Sequence, residues 1–209
     1  MKVGILFDLD GTLLDTLGDL TDATNYALRV HGYPERSISE IRRFVGNGAA
    51  NQIRLSVPEG ADHEPVLATY KPCYDAHCQI KTAPYPGIPE ALSCLTARYP
   101  VAIVSNKPDS AVKTLCADYF PGIYALGEKP DCPRKPAPDM VFQAMKDLGV
   151  ERCVYVGDSE VDVLTARNAG VPCLSVLWGF RDRTEMEAVG AAHFCEKTDD
   201  LISALEELL

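Results

Sequence analysis

The sequence lacks any apolar stretch of the roughly 18 to 20 residues that a membrane-spanning helix requires. It also lacks the basic region and apolar segment of a secretory signal, since its first apolar run ends at Asp8. Glycine and proline are not in excess, at 15 residues each, and 46% of the 209 residues are hydrophobic, which excludes disordered and collagen-like classes. We therefore expect a globular cytoplasmic protein without a membrane partner.

An excess of positive charge is also missing, because 30 acidic residues outnumber 20 basic ones and give a net charge of −10. This sign is unfavourable for binding a phosphate backbone, so no nucleic-acid partner is expected. The eight cysteines are scattered along a chain without an export signal, which indicates reduced thiols. The one local cluster, Cys73 with His77 and Cys78, lacks a second ligand pair at zinc spacing and is interpreted as a helix face.

Short apolar runs alternate with helical patterns over most of the chain. Predicted buried strands cover residues 3–7, 101–104, 153–156, 172–177 and, more weakly, 192–195. Predicted helices cover residues 90–98, 110–119, 139–148, 160–169 and 199–208. Strands that alternate with helices in this way are typical of a parallel α/β sheet.

Residues 15–81 interrupt this alternation, because they carry helix signals and no convincing strand. Four helices are predicted here. The first runs from Leu17 to Val30, and the second begins at a capping box formed by Ser37 and Glu40. The third ends at Leu55, and the fourth runs from residue 64 to about residue 78. We interpret the segment as an all-helical insertion.

Polar side chains follow three of the predicted strands. In chain order they are Asp8 and Asp10, then Ser105 and Asn106, then Asp158 and Asp162. Parallel strands bind ligands at their carboxyl ends, so these residues are expected to converge on one edge of the sheet. Four neighbouring carboxylates would repel one another without a cation, and oxygen ligands in that number favour Mg²⁺.

Lys135 is the candidate for the positive charge that an anionic substrate would need at this acidic edge. It lies in the segment Arg134-Lys-Pro-Ala-Pro138, where the prolines stiffen the approach to the next helix. Ser105 and Asn106 add a hydroxyl, an amide and backbone N–H groups suited to phosphoryl oxygens.

Together these segments resemble the four motifs of the haloacid dehalogenase superfamily, in the same order along the chain. The matching segments are Asp8-x-Asp10-Gly-Thr12, Ser105 after an apolar strand, Lys135-Pro, and Gly157-Asp158-Ser-x-x-Asp162. Residues 46–49, 84–87 and 135–139 are similar to the phosphoglycolate phosphatase branch. The resemblance implies a Rossmann-like parallel sheet core, formed by residues 1–14 and 82–209, with residues 15–81 as a helical cap domain.

The resemblance also implies a reaction. Asp8 would attack phosphorus and form an aspartyl phosphate. Asp10 would protonate the leaving oxygen and then deprotonate the attacking water, so it must carry a proton near neutral pH for the first step. Mg²⁺ would be held by the Asp8 carboxylate, the Asp10 backbone carbonyl and Asp158, with Asp162 supporting it directly or through water.

Substrate contacts are expected from both sides of the cleft. Ser105, Asn106 and Lys135 would hold the phosphoryl oxygens, and Thr12 would mainly support the phosphate loop. The candidates to reach the leaving group from the cap are Asn47 and Arg54.

These features favour a Mg²⁺-dependent phosphatase of a small phosphorylated metabolite, with phosphoglycolate as the nearest named substrate. The alternatives on the same fold are a pyrophosphatase and a sugar-phosphate mutase. Relatives of the mutase type usually carry Asp-Gly-Val where this chain has Asp10-Gly-Thr12. A non-catalytic binding protein is disfavoured because every motif residue is retained. No long apolar stripe demands a partner, so a monomer or weak homodimer is expected.

Overall fold

A six-stranded parallel sheet forms the centre of the chain in a computed structural model, which describes residues 2–209. The strands in chain order are β1 (Val3–Phe7), β2 (Leu14–Asp15), β3 (Ala83–Pro84), β4 (Val101–Pro108), β5 (Tyr124–Glu128), β6 (Arg152–Gly157), β7 (Cys173–Val176) and β8 (His193–Cys195). The sheet has the order β5-β4-β1-β6-β7-β8, and its neighbouring strands are all parallel. β2 and β3 form a separate antiparallel pair.

Helices connect the strands and cover both faces of the sheet. They are α1 (Leu17–Val30), α2 (Ile38–Phe44), α3 (Gly48–Ser56), α4 (Glu64–His77), α5 (Ile88–Thr96), α6 (Asp109–Tyr119), α7 (Asp139–Leu148), α8 (Glu160–Ala169), α9 (Arg183–Ala188) and α10 (Leu201–Glu206). A 3₁₀ turn at Thr198–Asp200 precedes α10. Within residues 2–209, no helix has both the length and the apolar character needed to cross a bilayer.

The central strand β1 carries no polar side chain, because both of its faces are covered. Ile5 and Phe7 of β1 pack into the cluster on one face of the sheet, and Leu6 between them packs into the cluster on the other. Full burial of each such side chain contributes roughly 1.5 to 3 kcal/mol. The predicted α/β architecture with a parallel sheet is therefore confirmed.

Four elements escaped the sequence prediction: β2 and β3, which have only two residues each, and also β5 and α9. β5 is an edge strand in which only Leu126 and Gly127 are buried, and its apolar run Tyr124–Leu126 has only three residues. α9 has six residues, too few to show a helical period. In addition, β4 extends to Pro108, so Ser105 and Asn106 lie within a strand and not in the loop that was expected after it.

The helices α1 to α4 lie between β2 and β3, as the sequence indicated. The pairing of Leu14 with Pro84 and of Asp15 with Ala83 brings the two ends of this helical insertion together. The predicted capping box of Ser37 and Glu40 is present at α2. The assignment of residues 15–81 as a separate cap domain stays a prediction.

Asp19 links the beginning of this insertion to its end through hydrogen bonds. Its carboxylate is buried in the first turn of α1 and accepts hydrogen bonds from the backbone N–H groups of Lys81 (2.9 and 3.0 Å) and Thr82 (2.9 Å). The Thr82 hydroxyl donates a further bond of 2.8 Å. One carboxylate therefore satisfies several donors on the segment that returns to the sheet.

We expect Asp19→Ala to lower the free energy of unfolding by about 3 kcal/mol, because it leaves buried donors of Lys81 and Thr82 without an acceptor. Urea unfolding followed by circular dichroism measures this loss. Asp22→Ala on the same helix is the matched control. Its carboxylate is exposed and paired with the Lys81 side chain, so little change is expected. Equal losses in the two variants would contradict the role given to Asp19.

Candidate active site

The carboxyl ends of β1, β4 and β6, neighbours in the sheet, bring the predicted residues to one cavity. The cavity opens to solvent between the sheet edge and the helical insertion. Its sheet side is lined by Asp8, Asp10, Ser105, Asn106, Lys107 and Asp158. Its other side is lined by residues that include Leu20, Ala49, Gln52, Tyr70 and Tyr74.

Three buried carboxylates meet at the floor of this cavity. Oxygen atoms of Asp8, Asp158 and Asp162 lie within 4.8 Å of one another. Burial raises the pKa of Asp8 to about 7, with the Lys135 ammonium opposing the shift and the Asp162 charge adding to it. Burial, together with repulsion from Asp162 and Asp8, also raises the pKa of Asp158 well above its ordinary value. The protein alone therefore stabilises these anions incompletely.

The donor set fits a hard divalent cation. Asp8 Oδ1 is buried, and although Lys135 Nζ lies 2.9 Å away as an ion-pair partner, it accepts no hydrogen bond of good geometry. Asp158 accepts bonds from the Thr12 hydroxyl (3.0 Å) and the Phe180 backbone N–H (2.7 Å), which leaves a lone pair free on each oxygen. Free carboxylate oxygens at this separation match the ligands that Mg²⁺ prefers.

Asp162 differs from the other two acids because its oxygens already accept several bonds. Oδ1 accepts from Lys135 Nζ (2.8 Å) and the Tyr155 hydroxyl (3.3 Å). Oδ2 accepts from the backbone N–H (3.1 Å) and hydroxyl (2.6 Å) of Ser159. This arrangement suits a residue that orients Lys135 and the loop before α8 more than one that binds a cation directly.

Lys135 provides the positive charge beside the buried carboxylates. Its side chain is 2% exposed, and its Nζ lies 2.9 Å from Asp8 Oδ1 and 2.8 Å from Asp162 Oδ1. Burial by itself lowers the pKa of Lys135, but the charges of Asp162 and Asp8 outweigh it and raise that pKa well above the usual range. The ammonium therefore stays charged beside the Asp8 carboxylate.

Tyr155 completes the surroundings of this ammonium and was missed in the sequence. Its hydroxyl accepts a bond of 2.9 Å from Lys135 Nζ and lies 3.1 Å from the carbonyl oxygen of Val104. The signal that could have found it is a tyrosine within the otherwise aliphatic run of β6.

The Asp10 carboxylate is held apart from the three acids. It accepts bonds from the Thr16 hydroxyl (2.7 Å) and from Lys107 Nζ (2.8 and 3.0 Å). Lys107 was also missed, although a lysine directly after Ser105-Asn106 at the end of an apolar strand was a visible signal.

Two glycines let other loops approach Asp158 closely. Gly11 has a φ of 84°, and a Cβ there would lie 2.3 Å from Asp158 Oδ2. A Cβ on Gly179 would lie 2.3 Å from Asp158 Cβ. Side chains at these positions would push the loops away from the acidic group.

Ser105, Asn106 and Thr12, the residues expected to contact the phosphoryl group or to support its loop, differ in their surroundings. Ser105 is buried and lines the cavity. The Asn106 side chain instead bonds the backbone N–H and carbonyl of Lys135 (2.8 and 2.9 Å) and the carbonyl of Gly46 (3.0 Å). The Thr12 hydroxyl donates to Asp158, which supports its expected role as scaffolding.

The two residues predicted to reach the substrate from the insertion do not line the cavity. Arg54 is exposed, and its guanidinium bonds the side chain of Asn51 (2.8 Å). Asn47 is partly exposed at the N-terminus of α3. The helical register explains the difference, because α3 buries Gln52 and Ile53 and turns the next residue outward. Gln52 takes the position that was assigned to Arg54.

Arg181 joins the sheet edge to the helical insertion and was not predicted as a functional residue. Its guanidinium donates to the backbone carbonyls of Arg42 (2.7 Å), Arg43 (3.2 Å) and Val45 (2.7 Å) at the end of α2. Its Nε donates to Glu160 at 2.9 Å. These bonds hold the segment after α2 over the cavity.

Comparisons with known proteins agree with this geometry. Residues 5–176 match the sequence model of the haloacid dehalogenase-like hydrolases. The phosphoglycolate phosphatase of Rhodobacter capsulatus is 34% identical over 201 residues, which cover 90% of each chain. That of Mesorhizobium japonicum is 34% identical over 221 residues, which cover 96% of this chain and 95% of the relative.

The fold is similar to a solved structure as well. A crystal structure from Lactobacillus delbrueckii subsp. bulgaricus, described as a candidate phosphoglycolate phosphatase, matches with a TM-score of 0.91 and 38% identity. The match covers 97% of each chain, so it includes both the sheet and the helical insertion.

Replacing Lys135 by methionine is expected to lower the free energy of unfolding by about 3 to 5 kcal/mol in a metal-free buffer, because the buried acids lose their cation. Urea unfolding in the presence of a chelator measures this effect. Lys113→Met, which removes an exposed ammonium from α6, is the control and should change stability little. Full stability in Lys135→Met would contradict the charge balance described here.

Proposed function

This chain belongs to the haloacid dehalogenase-like hydrolase family, and on that basis we propose that it is a Mg²⁺-dependent phosphatase of small phosphomonoesters such as phosphoglycolate. Its relatives support a phosphoric monoester hydrolase. The observation that carries the proposal is the buried Asp8 carboxylate, whose Oδ1 lacks a hydrogen bond beside Asp158, Asp162 and Lys135.

In the proposed reaction, an Asp8 oxygen attacks phosphorus and forms a covalent aspartyl phosphate while the bond from phosphorus to the ester oxygen breaks. Asp10 would give a proton to the departing oxygen, which requires the carboxyl to be protonated in the substrate complex although Lys107 pairs with it in the free chain. In the second step Asp10 accepts a proton from water, whose oxygen attacks phosphorus and releases inorganic phosphate from Asp8. The position of Asp10 two residues after the nucleophile, at the open end of β1, suits both transfers.

The remaining groups hold the transferred phosphoryl group. Asp8 and Asp158 would hold Mg²⁺ together with the backbone carbonyl of Asp10. Asp162 would orient Lys135 and the loop before α8. The cation would supply positive charge to the phosphoryl oxygens. Lys135 and Ser105 provide an ammonium and a hydroxyl at the same edge, which supports their role in binding these oxygens.

Hydrolysis is favoured over transfer to a sugar phosphate by the names of the relatives and by the Asp10-Gly-Thr12 sequence. The cytoplasmic location and the monomeric or weakly dimeric state stay predictions of the sequence.

We expect the purified chain to release phosphate from phosphoglycolate in the presence of Mg²⁺ and to lose this activity with a chelator. Asp8→Asn should reduce kcat at least about 1,000-fold, because the amide is not a nucleophile. Asp22→Asn, on the outer side of α1, should leave the rate unchanged. A wild-type chain that releases no phosphate from a panel of small phosphomonoesters would overturn the proposal.

Mg²⁺ should also stabilise the fold, because it offsets the repulsion among the buried acids. At a concentration about 100 times its Kd, the expected gain is roughly 2.7 kcal/mol, or a rise in Tm of about 5 °C or more. Thermal unfolding with and without Mg²⁺ measures the shift. Asp158→Asn should reduce it strongly, whereas Asp200→Asn, remote from the site, should keep it. An equal shift in Asp158→Asn would exclude Asp158 as a ligand.

A further inference from the structure

Lys107 is a buried cation to which the proposed reaction gives no task. Its Nζ lies 2.8 and 3.0 Å from the two oxygens of Asp10, and its side chain is 3% exposed. The ammonium also lies 4.6 Å from the centre of the Tyr74 ring, a cation–π distance. Because an ammonium has three N–H donors, the contact with Asp10 does not exhaust its capacity to bind an anion.

Tyr74 places a second unused group beside this ammonium. Its hydroxyl is buried and has no hydrogen-bond partner in the described part of the chain, and the residue is 3% exposed. A buried hydroxyl without a partner is unfavourable, which points to a ligand that supplies one. Tyr70 stacks on the Tyr74 ring with a centroid separation of 5.6 Å, and both rings line the cavity that contains Asp8.

The other cations near the cavity are engaged or lie in water. Lys135 is held by two carboxylates, and Arg181 by Glu160 and three backbone carbonyls. Lys71 is exposed. Among residues 2–209, Lys107 is therefore the buried cation on this wall that an incoming anion can reach.

We propose that Lys107 Nζ and the Tyr74 hydroxyl bind a carboxylate carried by the leaving group, an inference that rests on the phosphatase function proposed above. Asp10 is the proposed proton donor to the leaving oxygen and contacts Lys107, so an anion bound to Lys107 would lie close to that oxygen. A carboxylate on the carbon atom attached to the ester oxygen is close enough to occupy this position. Lys107 and Tyr74 are then specificity-determining residues of the proposed phosphatase.

The same subsite explains how uncharged esters would be disfavoured. A neutral alcohol group can hydrogen-bond to the Tyr74 hydroxyl, but it carries no charge to pair with the Lys107 ammonium, so it gains less from the subsite than a carboxylate does. A site built to bind a polar group rejects a ligand that lacks it much more strongly than an apolar pocket rejects an extra methylene.

The test compares two phosphomonoesters of similar length, 2-phosphoglycolate and 2-hydroxyethyl phosphate, on the full chain with Mg²⁺. The readout is the ratio of kcat/KM for the carboxylate ester to that for the neutral ester. We expect a wild-type ratio of at least about tenfold. Lys107→Met should bring the ratio close to one, Lys107→Arg should restore part of it, and Tyr74→Phe should lower it about threefold or more.

Tyr74→Phe keeps the test decisive if Lys107→Met folds poorly. It removes only a hydroxyl that has no partner, so its Tm should not fall. The matched controls are Tyr26→Phe on the exposed side of α1 and Lys113→Met on α6, which should leave the ratio unchanged.

Each result has a distinct meaning. Equal losses on both esters in Lys107→Met and Tyr74→Phe would overturn the subsite and leave Lys107 as a support for Asp10 alone. A wild-type chain that hydrolyses the neutral ester without preferring the carboxylate would overturn the subsite while the phosphatase function stands. Failure to hydrolyse either ester, or any other phosphomonoester, would overturn both.

Discussion

The buried ion pairs of Lys135 are the interaction on which the rest of the site depends. One ammonium lies within 3 Å of two carboxylates, and a third acid lies beside them with no cation of its own. Removing charges from water is costly, so the arrangement is favourable only while each charge has partners of opposite sign. The parallel sheet provides them, because β1, β4 and β6 end side by side and the loops beyond them meet.

The chain uses a second layer of polar contacts to keep this group in place. Asn106 fixes the backbone of Lys135 from β4, and Tyr155 accepts a bond from its ammonium on β6. Asp162 accepts bonds from both Lys135 and Ser159. These contacts leave Asp8 Oδ1 without a hydrogen bond in a residue that lines the cavity, which supports the proposed role of Asp8 as the nucleophile.

The sequence predicted the parts of the site that follow from strand order. Asp8, Asp158 and Lys135 could be placed together because parallel strands end at the same edge. Lys107 and Tyr155 could not, since their roles arise from contacts with Asp10, 97 residues away, and with Lys135, 20 residues away. A local pattern of hydrophobicity carries no information on such contacts.

The orientation of residues in the helical insertion was harder to predict from the sequence. Arg54 does not line the cavity, because the face that a short helix turns inward depends on what it packs against, and α3 turns Gln52 inward. Similarly, β5 was missed, because the apolar run of this edge strand is short and is followed at once by Gly127 and Glu128.

The contact of Arg181 with the insertion has a consequence for how such a protein can diversify. The guanidinium binds carbonyl oxygens of the main chain, which are the same for every amino acid. The side chains of residues 42–45 can therefore change while the anchoring bonds persist. Homologues could therefore differ in the side chains of this segment, and so in the substrates that they accept, while the acidic residues and Lys135 at the sheet edge stayed the same.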